Sequence, residues 1–78
     1  MPLQWKNYEL NEQAVDDISE SIRQFLDDEG IERRNAVRIR LTMEEIMLRI
    51  IDAKGNAFPV SFGMGKQFGK HVVILKYG

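Results

Sequence analysis

Two adjacent carboxylates and a guanidinium are the groups of this chain whose types and spacing could do chemistry. Glu44 and Glu45 lie in the middle of the stretch 35–52, and Arg49 follows Glu45 by four residues, about one helical turn. An acid placed four residues before a base forms a favourable pair, worth about 0.2–0.5 kcal/mol on an exposed helix. A solvent-exposed ion pair therefore explains Glu45 and Arg49 without any function.

Arg40 and Glu44 interrupt the apolar side of the same stretch. On a helical projection, its apolar residues cover more than half of the circumference, which predicts a helix packed on two sides. The remaining polar strip consists of Arg38, Thr42, Glu45, Arg49 and Asp52. Arg40 and Glu44 are four residues apart, so we predict an ion pair within the helix or across the layers. The alternative is a polar group that faces a cleft.

A basic cluster stands at the beginning of this stretch. It contains Arg33, Arg34 and Arg38, and the acidic run 27–29 precedes it across Gly30. Each cluster opposes the dipole of its own predicted helix, so we predict that the two clusters compensate each other across the turn. The alternative is an anion patch for phosphate or an acidic partner.

Other catalytic and ligand-binding patterns are absent from the sequence. Gly65 and Lys66 suggest a phosphate loop, but Val60 stands where that motif needs its first glycine and Gln67 where it needs Ser or Thr. His71 is the single histidine and there is no cysteine, so we predict no metal site. No catalytic triad can be assembled, and we predict no cofactor.

Local patterns predict the elements that position these residues. A first strand covers residues 3–10, with a one-residue slip in its spacing that is compatible with a β-bulge. Asn11 is a good N-cap for a helix over 12–29, and Gly30 with Ile31 fits a Schellman motif. A second helix runs from about Arg33 or Asn35 to Ala53.

The period changes from 3.6 to 2 after Gly55. Alternating apolar residues from Phe58 to Met64 predict a strand, in which Pro59 requires an edge position or pairing on one side only. We predict that 63–69 is a glycine-rich connection. The apolar run in the last strand, 71–77, favours a central, doubly covered position.

These elements predict an α+β fold in one domain, residues 1–78. Two helices would pack on one face of a small, mainly antiparallel three-stranded sheet, in the order β-α-α-β-β. The 78 residues bury only about 60% of the surface that the unfolded chain exposes, so association with a second copy is a further expectation.

The stretch 31–52, with its flanking elements, resembles the first half of the histidine-kinase-like ATPase (GHKL) superfamily. In that family an apolar helix with the pattern Glu-Glu-x-x-x-Asn faces the nucleotide. Glu44 and Glu45 match the two acids, and Arg49 stands at the asparagine, which helps to hold magnesium in the family. A guanidinium has no acceptor lone pair and repels Mg²⁺. The resemblance therefore implies the scaffold without the metal site.

The last strand extends the resemblance. Family members end this strand with an aspartate and a glycine that anchor adenine, and here Lys76, Tyr77 and Gly78 take those places. Lysine offers only donors. The nucleotide-facing set implied by resemblance is thus Glu44, Glu45, Arg49 and Lys76, over about half of the family domain.

A narrower resemblance is to cytosolic GHKL-like segments attached to sodium- or proton-coupled dicarboxylate and amino-acid symporters of gut bacteria. The segment 41–49 and the turn 65–69 are the basis of this resemblance. It implies a non-catalytic accessory or regulatory module whose partner is a protein or the remainder of a longer chain. One alternative is half of a working ATP-binding domain completed by absent sequence or a second chain, and another is a nucleic-acid-binding module.

Composition narrows the setting. A net charge of −1 gives no global reason to expect nucleic acid or anionic lipid as a partner. The absence of cysteine favours a reducing compartment, and the longest apolar run, 72–75, is too short to insert into a bilayer. We therefore expect a cytoplasmic module, with any membrane link made through a tethering partner.

Overall fold

A computed structural model describes residues 3–78. Its elements are β1 (Gln4–Leu10), α1 (Glu12–Asp28), α2 (Arg33–Lys54), β2 (Phe58–Gln67) and β3 (Lys70–Lys76). The three strands form one antiparallel sheet, and the order β-α-α-β-β and the α+β class are as predicted.

Local signals determine both ends of α1. The Asn11 side chain accepts a hydrogen bond from the Ala14 amide at 2.8 Å, which satisfies one of the free donors of the first turn. At the other end Gly30 has φ 71°, and the Ile31 amide donates to the Leu26 carbonyl at 2.9 Å. The Gly30 amide donates to Asp27, which completes the predicted Schellman motif.

The second helix starts and ends close to the predicted residues. Arg33 follows the N-cap residue Glu32, whose side chain makes no capping hydrogen bond. At the end, Gly55 has φ 83° and its amide donates to the Ile51 carbonyl. Lys54 adds a cation at the negative end of the dipole.

The core lies between the helices and one face of the sheet. Side chains of β2 alternate, so Val60 and Phe62 are buried beneath the helices. The fully buried large side chains of this layer are Leu10, Ile18, Ile22, Leu26 and Met47. The packing of α1 is against β1 and β2, and that of α2 is chiefly against α1 and β2.

The glycine-rich segment 63–69 is not a connection, contrary to the prediction. Strand β2 continues to Gln67, which pairs with Lys70, and only Phe68 and Gly69 form the turn. Both turn residues have positive φ, 53° and 76°, as a two-residue type I′ hairpin turn requires. Such a turn matches the twist of the flanking strands, so the hairpin needs no longer loop.

The central position predicted for the last strand is also wrong. The sheet order is β1-β2-β3, so β2 is central and β3 is an edge strand. Val73 and Leu75 point to the helix side, while Val72 and Ile74 lie on the uncovered face of the sheet. Pro59 fits the central strand because β3 pairs only from Ser61 onward, which leaves Pro59 paired on one side as predicted.

The slipped spacing of β1 has a cause other than a bulge. Residues 4–10 pair one to one with 58–64, so no extra residue is inserted. Trp5 instead points to the uncovered face, where its ring lies over Gly63. A Cβ at Gly63 would lie 2.8 Å from that ring, so the glycine provides the space for the tryptophan.

We predict that Gly63→Ala destabilises the protein by about 1–2 kcal/mol, because the added methyl displaces the Trp5 ring. Urea unfolding followed by circular dichroism gives the free energy, and a red shift of tryptophan emission reports the displaced ring. Trp5→Ala is the matched background, since there Gly63→Ala has no ring to meet. An equal loss in both backgrounds would contradict this explanation.

Candidate functional site

Glu44 lies between the two helices. Its Oε2 accepts a hydrogen bond from the Ser19 hydroxyl of α1 and lies 3.8 Å from Arg40 Nε. Both charged side chains are about one-third exposed, and Arg40 Nε itself is buried without a hydrogen-bond partner. The predicted ion pair is confirmed, and it is combined with a contact across the helix layer.

Glu45 and Arg49 form the second predicted ion pair on the solvent side of α2. Arg49 Nη2 donates to Glu45 Oε1 at 2.8 Å, and the two side chains are 65% and 79% exposed. Water competes for both groups at such exposure, so the pair contributes little to stability.

Lys76 lies apart from these residues, on the uncovered face of the sheet. Its Nζ is 4.5 Å from the centroid of the Trp5 ring, a cation–π geometry. The cavity that Lys76 lines is formed with residues of β1 and β2 and does not include Glu44, Glu45 or Arg49. Their shared nucleotide-facing role stays a prediction.

The three arginines of the basic cluster lie on different surfaces of the domain. Arg33 lines a cleft of about 350 Å³ between the helices, together with Arg23 and Arg40, whereas Arg38 lines a groove on the other side of α2. Arg34 is exposed and lines neither. One patch formed by all three predicted arginines is therefore not assembled.

The predicted pairing across the Gly30 turn is wrong. Within the part of the chain that the structure describes, no acid of the run 27–29 forms a salt bridge with Arg33, Arg34 or Arg38. Glu29 reaches β3 instead, where its Oε1 is 2.9 Å from His71 Nε2. The Schellman turn ends α1 close to β3, which brings this acid to the strand.

Arg23, the third cation of the cleft, forms an ion pair within its own helix. Its guanidinium donates to the Glu20 carboxylate at 2.6 Å and thereby lowers the pKa of Glu20. The same hydrogen bond raises the pKa of Arg23. Two of the three cations that line the cleft between the helices, Arg23 and Arg40, thus already have an acidic partner, and Asp27 lies on the cleft wall.

A larger groove separates α2 from the edge strand β3. Its volume is about 940 Å³, and its apolar walls come from both elements and from the Gly30 turn. Its apolar residues are Leu26, Ile31, Ile39, Met43 and Val73, and Val72 and Ile74 border it at the strand edge with their side chains on the uncovered face. Polar groups along it are Asn35, Arg38, Thr42, Lys70 and His71. We call this surface the α2–β3 groove.

Sequence reasoning did not identify the α2–β3 groove, although one signal pointed towards it. The apolar arc of α2 exceeds what one packing contact needs, and the helix was expected to pack on two sides. In the structure Ile39 is only partly buried at the core margin. The exposed large apolar residues of α2, Val37, Leu41 and Leu48, lie outside the groove, so the groove accounts for only part of the wide apolar arc.

Among residues 3–78 there is no group of three or more His, Cys, Asp or Glu side chains that could hold a metal ion. His71 contacts Glu29 and packs edge-on against Phe25, with ring centroids 6.0 Å apart. Neither α1 nor α2 has the length and apolar character needed to cross a bilayer.

Fold and groove together define a small α+β domain whose sheet has two edge strands, β1 and β3, with the groove beside β3. No family model, no curated protein and no solved structure matches the chain.

We predict that Glu44→Ala costs about 1–3 kcal/mol of unfolding free energy, because it removes the acceptor of Ser19 and the acid that pairs with the buried Arg40 Nε. Glu45→Ala is the matched control, with an expected cost below about 0.5 kcal/mol. Urea denaturation of both variants tests the difference. Equal losses would show that Glu44 contributes no more than an exposed acid.

Proposed function

We propose that this chain is a non-catalytic accessory module that binds a partner protein through the α2–β3 groove. The observation that carries the proposal is the groove itself. It has a volume of about 940 Å³ and largely apolar walls, and it lies beside the unpaired edge of β3. Exposed apolar surface that is bordered by polar groups is typical of interaction sites. A small domain that leaves such a surface open gains most from a partner that covers it.

The placement of the charged residues supports a role without catalysis. Arg49 donates to Glu45 on an exposed helix face, and a guanidinium cannot ligate magnesium. Lys76 lies against Trp5 on the opposite side of the sheet. These residues would have to act together on one nucleotide, yet they occupy separate surfaces.

The setting that we propose follows from the resemblance to symporter-attached GHKL-like segments. The partner would then be a membrane transporter or the remainder of a longer chain, and the module would act in the cytoplasm. The absence of cysteine from the sequence agrees with a reducing compartment. A second copy of the chain is the other partner that the small core suggests.

One observation favours the alternative, half of a working ATP-binding domain. Asn35, Arg38 and Thr42 line the α2–β3 groove and belong to the polar side of α2 that continues to Glu45 and Arg49. A nucleotide held in the groove could reach these residues if absent sequence or a second chain supplied the missing ligands. Binding of Mg-ATP distinguishes this alternative from the accessory module.

We predict that isothermal titration calorimetry detects no Mg-ATP binding at micromolar affinity. Arg49→Asn should not create binding, since it restores one metal ligand while Lys76 still lacks an acceptor for adenine. Titration of magnesium-free ATP controls for simple anion attraction. Micromolar binding of Mg-ATP that is lost in Glu45→Ala would overturn the proposal in favour of the ATP-binding alternative.

A further inference from the structure

We infer that the α2–β3 groove takes an acidic, extended segment of a partner protein, which pairs with the outer edge of β3 as a fourth strand. This inference rests on the proposed docking function and names the chemistry of the partner. Its support comes from the open edge of β3, the side chains beside that edge and the charges along the groove.

The outer edge of β3 is open for strand addition. Residues Lys70–Lys76 pair only with β2, so the backbone groups on the other side have no strand partner. An extended peptide can satisfy such a row of donors and acceptors by main-chain hydrogen bonds. Seven residues provide an edge as long as an average strand.

Side chains next to this edge favour an apolar residue at every second position of the added strand. Val73 and Leu75 lie on the helix side of β3, and Ile39 and Met43 of α2 are directed to the same space. A fourth strand would place alternate side chains between α2 and the sheet, where Ile39, Val73 and Leu75 are partly exposed. The other residues of the added strand would point to the uncovered face.

Charge determines which partner fits. Arg38 and Lys70 line the α2–β3 groove, and none of its lining residues is an acid. In residues 3–78 neither of these cations forms a salt bridge. The chain as a whole has a net charge of −1, so this positive border is a local feature. Acidic residues on the partner would complement it.

The same charges disfavour a second copy of the chain. An antiparallel pair of β3 strands centred on Val73 uses the whole edge, but it places Lys70 of each copy opposite Lys76 of the other. Like charges directly opposite each other in a sheet are destabilising, and lysines at strand edges prevent such self-pairing. The structure therefore favours an acidic segment of another protein over homodimerisation through this edge.

The test uses a fluorescein-labelled octapeptide of alternating glutamate and valine, titrated with the full chain and followed by fluorescence anisotropy. Three further peptides carry lysine in place of glutamate, serine in place of glutamate, or N-methyl groups on alternate backbone nitrogens of the acidic peptide. We expect only the unmethylated acidic peptide to bind well. Hydrogen exchange of the amides of 70–76 should then slow, because the added strand covers them.

Charge reversal provides the matched variants. Lys70→Glu changes a charge on the sheet face to which the glutamates of the added strand point, so it should weaken the acidic peptide by about threefold at low salt, and the lysine peptide should bind this variant better than the original chain. Arg34→Glu reverses a charge on α2 outside the groove and should change little. Tighter binding of the lysine peptide would show that the variant is folded and that the acidic peptide is lost through charge repulsion.

Three outcomes would overturn the inference. Equal binding of the acidic and serine peptides would refute the acidic preference and leave the docking function standing. Equal binding of the N-methylated peptide would refute strand addition. A dimer in sedimentation velocity that slows exchange in 70–76 without any peptide would show that a second copy covers the edge. Mg-ATP binding, in contrast, would refute the proposed function itself.

Discussion

The fold depends on one limit, the amount of apolar surface that two helices can cover. The chain has a single helix layer, and its buried residues gather on one face of β2 around Val60 and Phe62. Because α1 lies over β1 and β2 and α2 chiefly over β2, the helices cover the first two strands better than the third. In residues 3–78, β1 and β3 are unpaired along their outer edges and no helix covers the second sheet face, and the α2–β3 groove follows from that distribution.

Open surfaces of the sheet are managed in two different ways. On the uncovered face, the Trp5 ring covers Gly63, and Lys76 lies over the ring. The side chains of the chain itself thus cover this part of the face. Along the edge, Lys70 and Lys76 flank the apolar centre of β3 without a covering element. Charged strand ends of this kind restrict which strands can be added, and they leave the edge accessible to a complementary one.

Sequence reasoning succeeded where the deciding interaction is local. The Asn11 cap, the Gly30 turn and the helical ion pairs join residues at most five positions apart, so spacing alone predicts them. Apart from the hairpin turn at Phe68 and Gly69, its failures lie where the deciding contact is distant in sequence. The role of Gly63 depends on Trp5, and the edge position of β3 depends on where β1 pairs. Glycine and an apolar run have several structural meanings, and only the tertiary contacts select among them.

The two-residue turn at Phe68 and Gly69 couples the hairpin to both sides of the sheet. Side chains alternate strictly along a strand, so a single inserted or deleted residue at this turn would invert the parity of β3. Val72 and Ile74 would rotate towards the helices, while Val73 and Leu75 would rotate away, and His71 would lose its neighbour Glu29. The length of this hairpin tip is therefore constrained by the distribution of apolar residues over the whole of β3, although the tip itself lies at the surface.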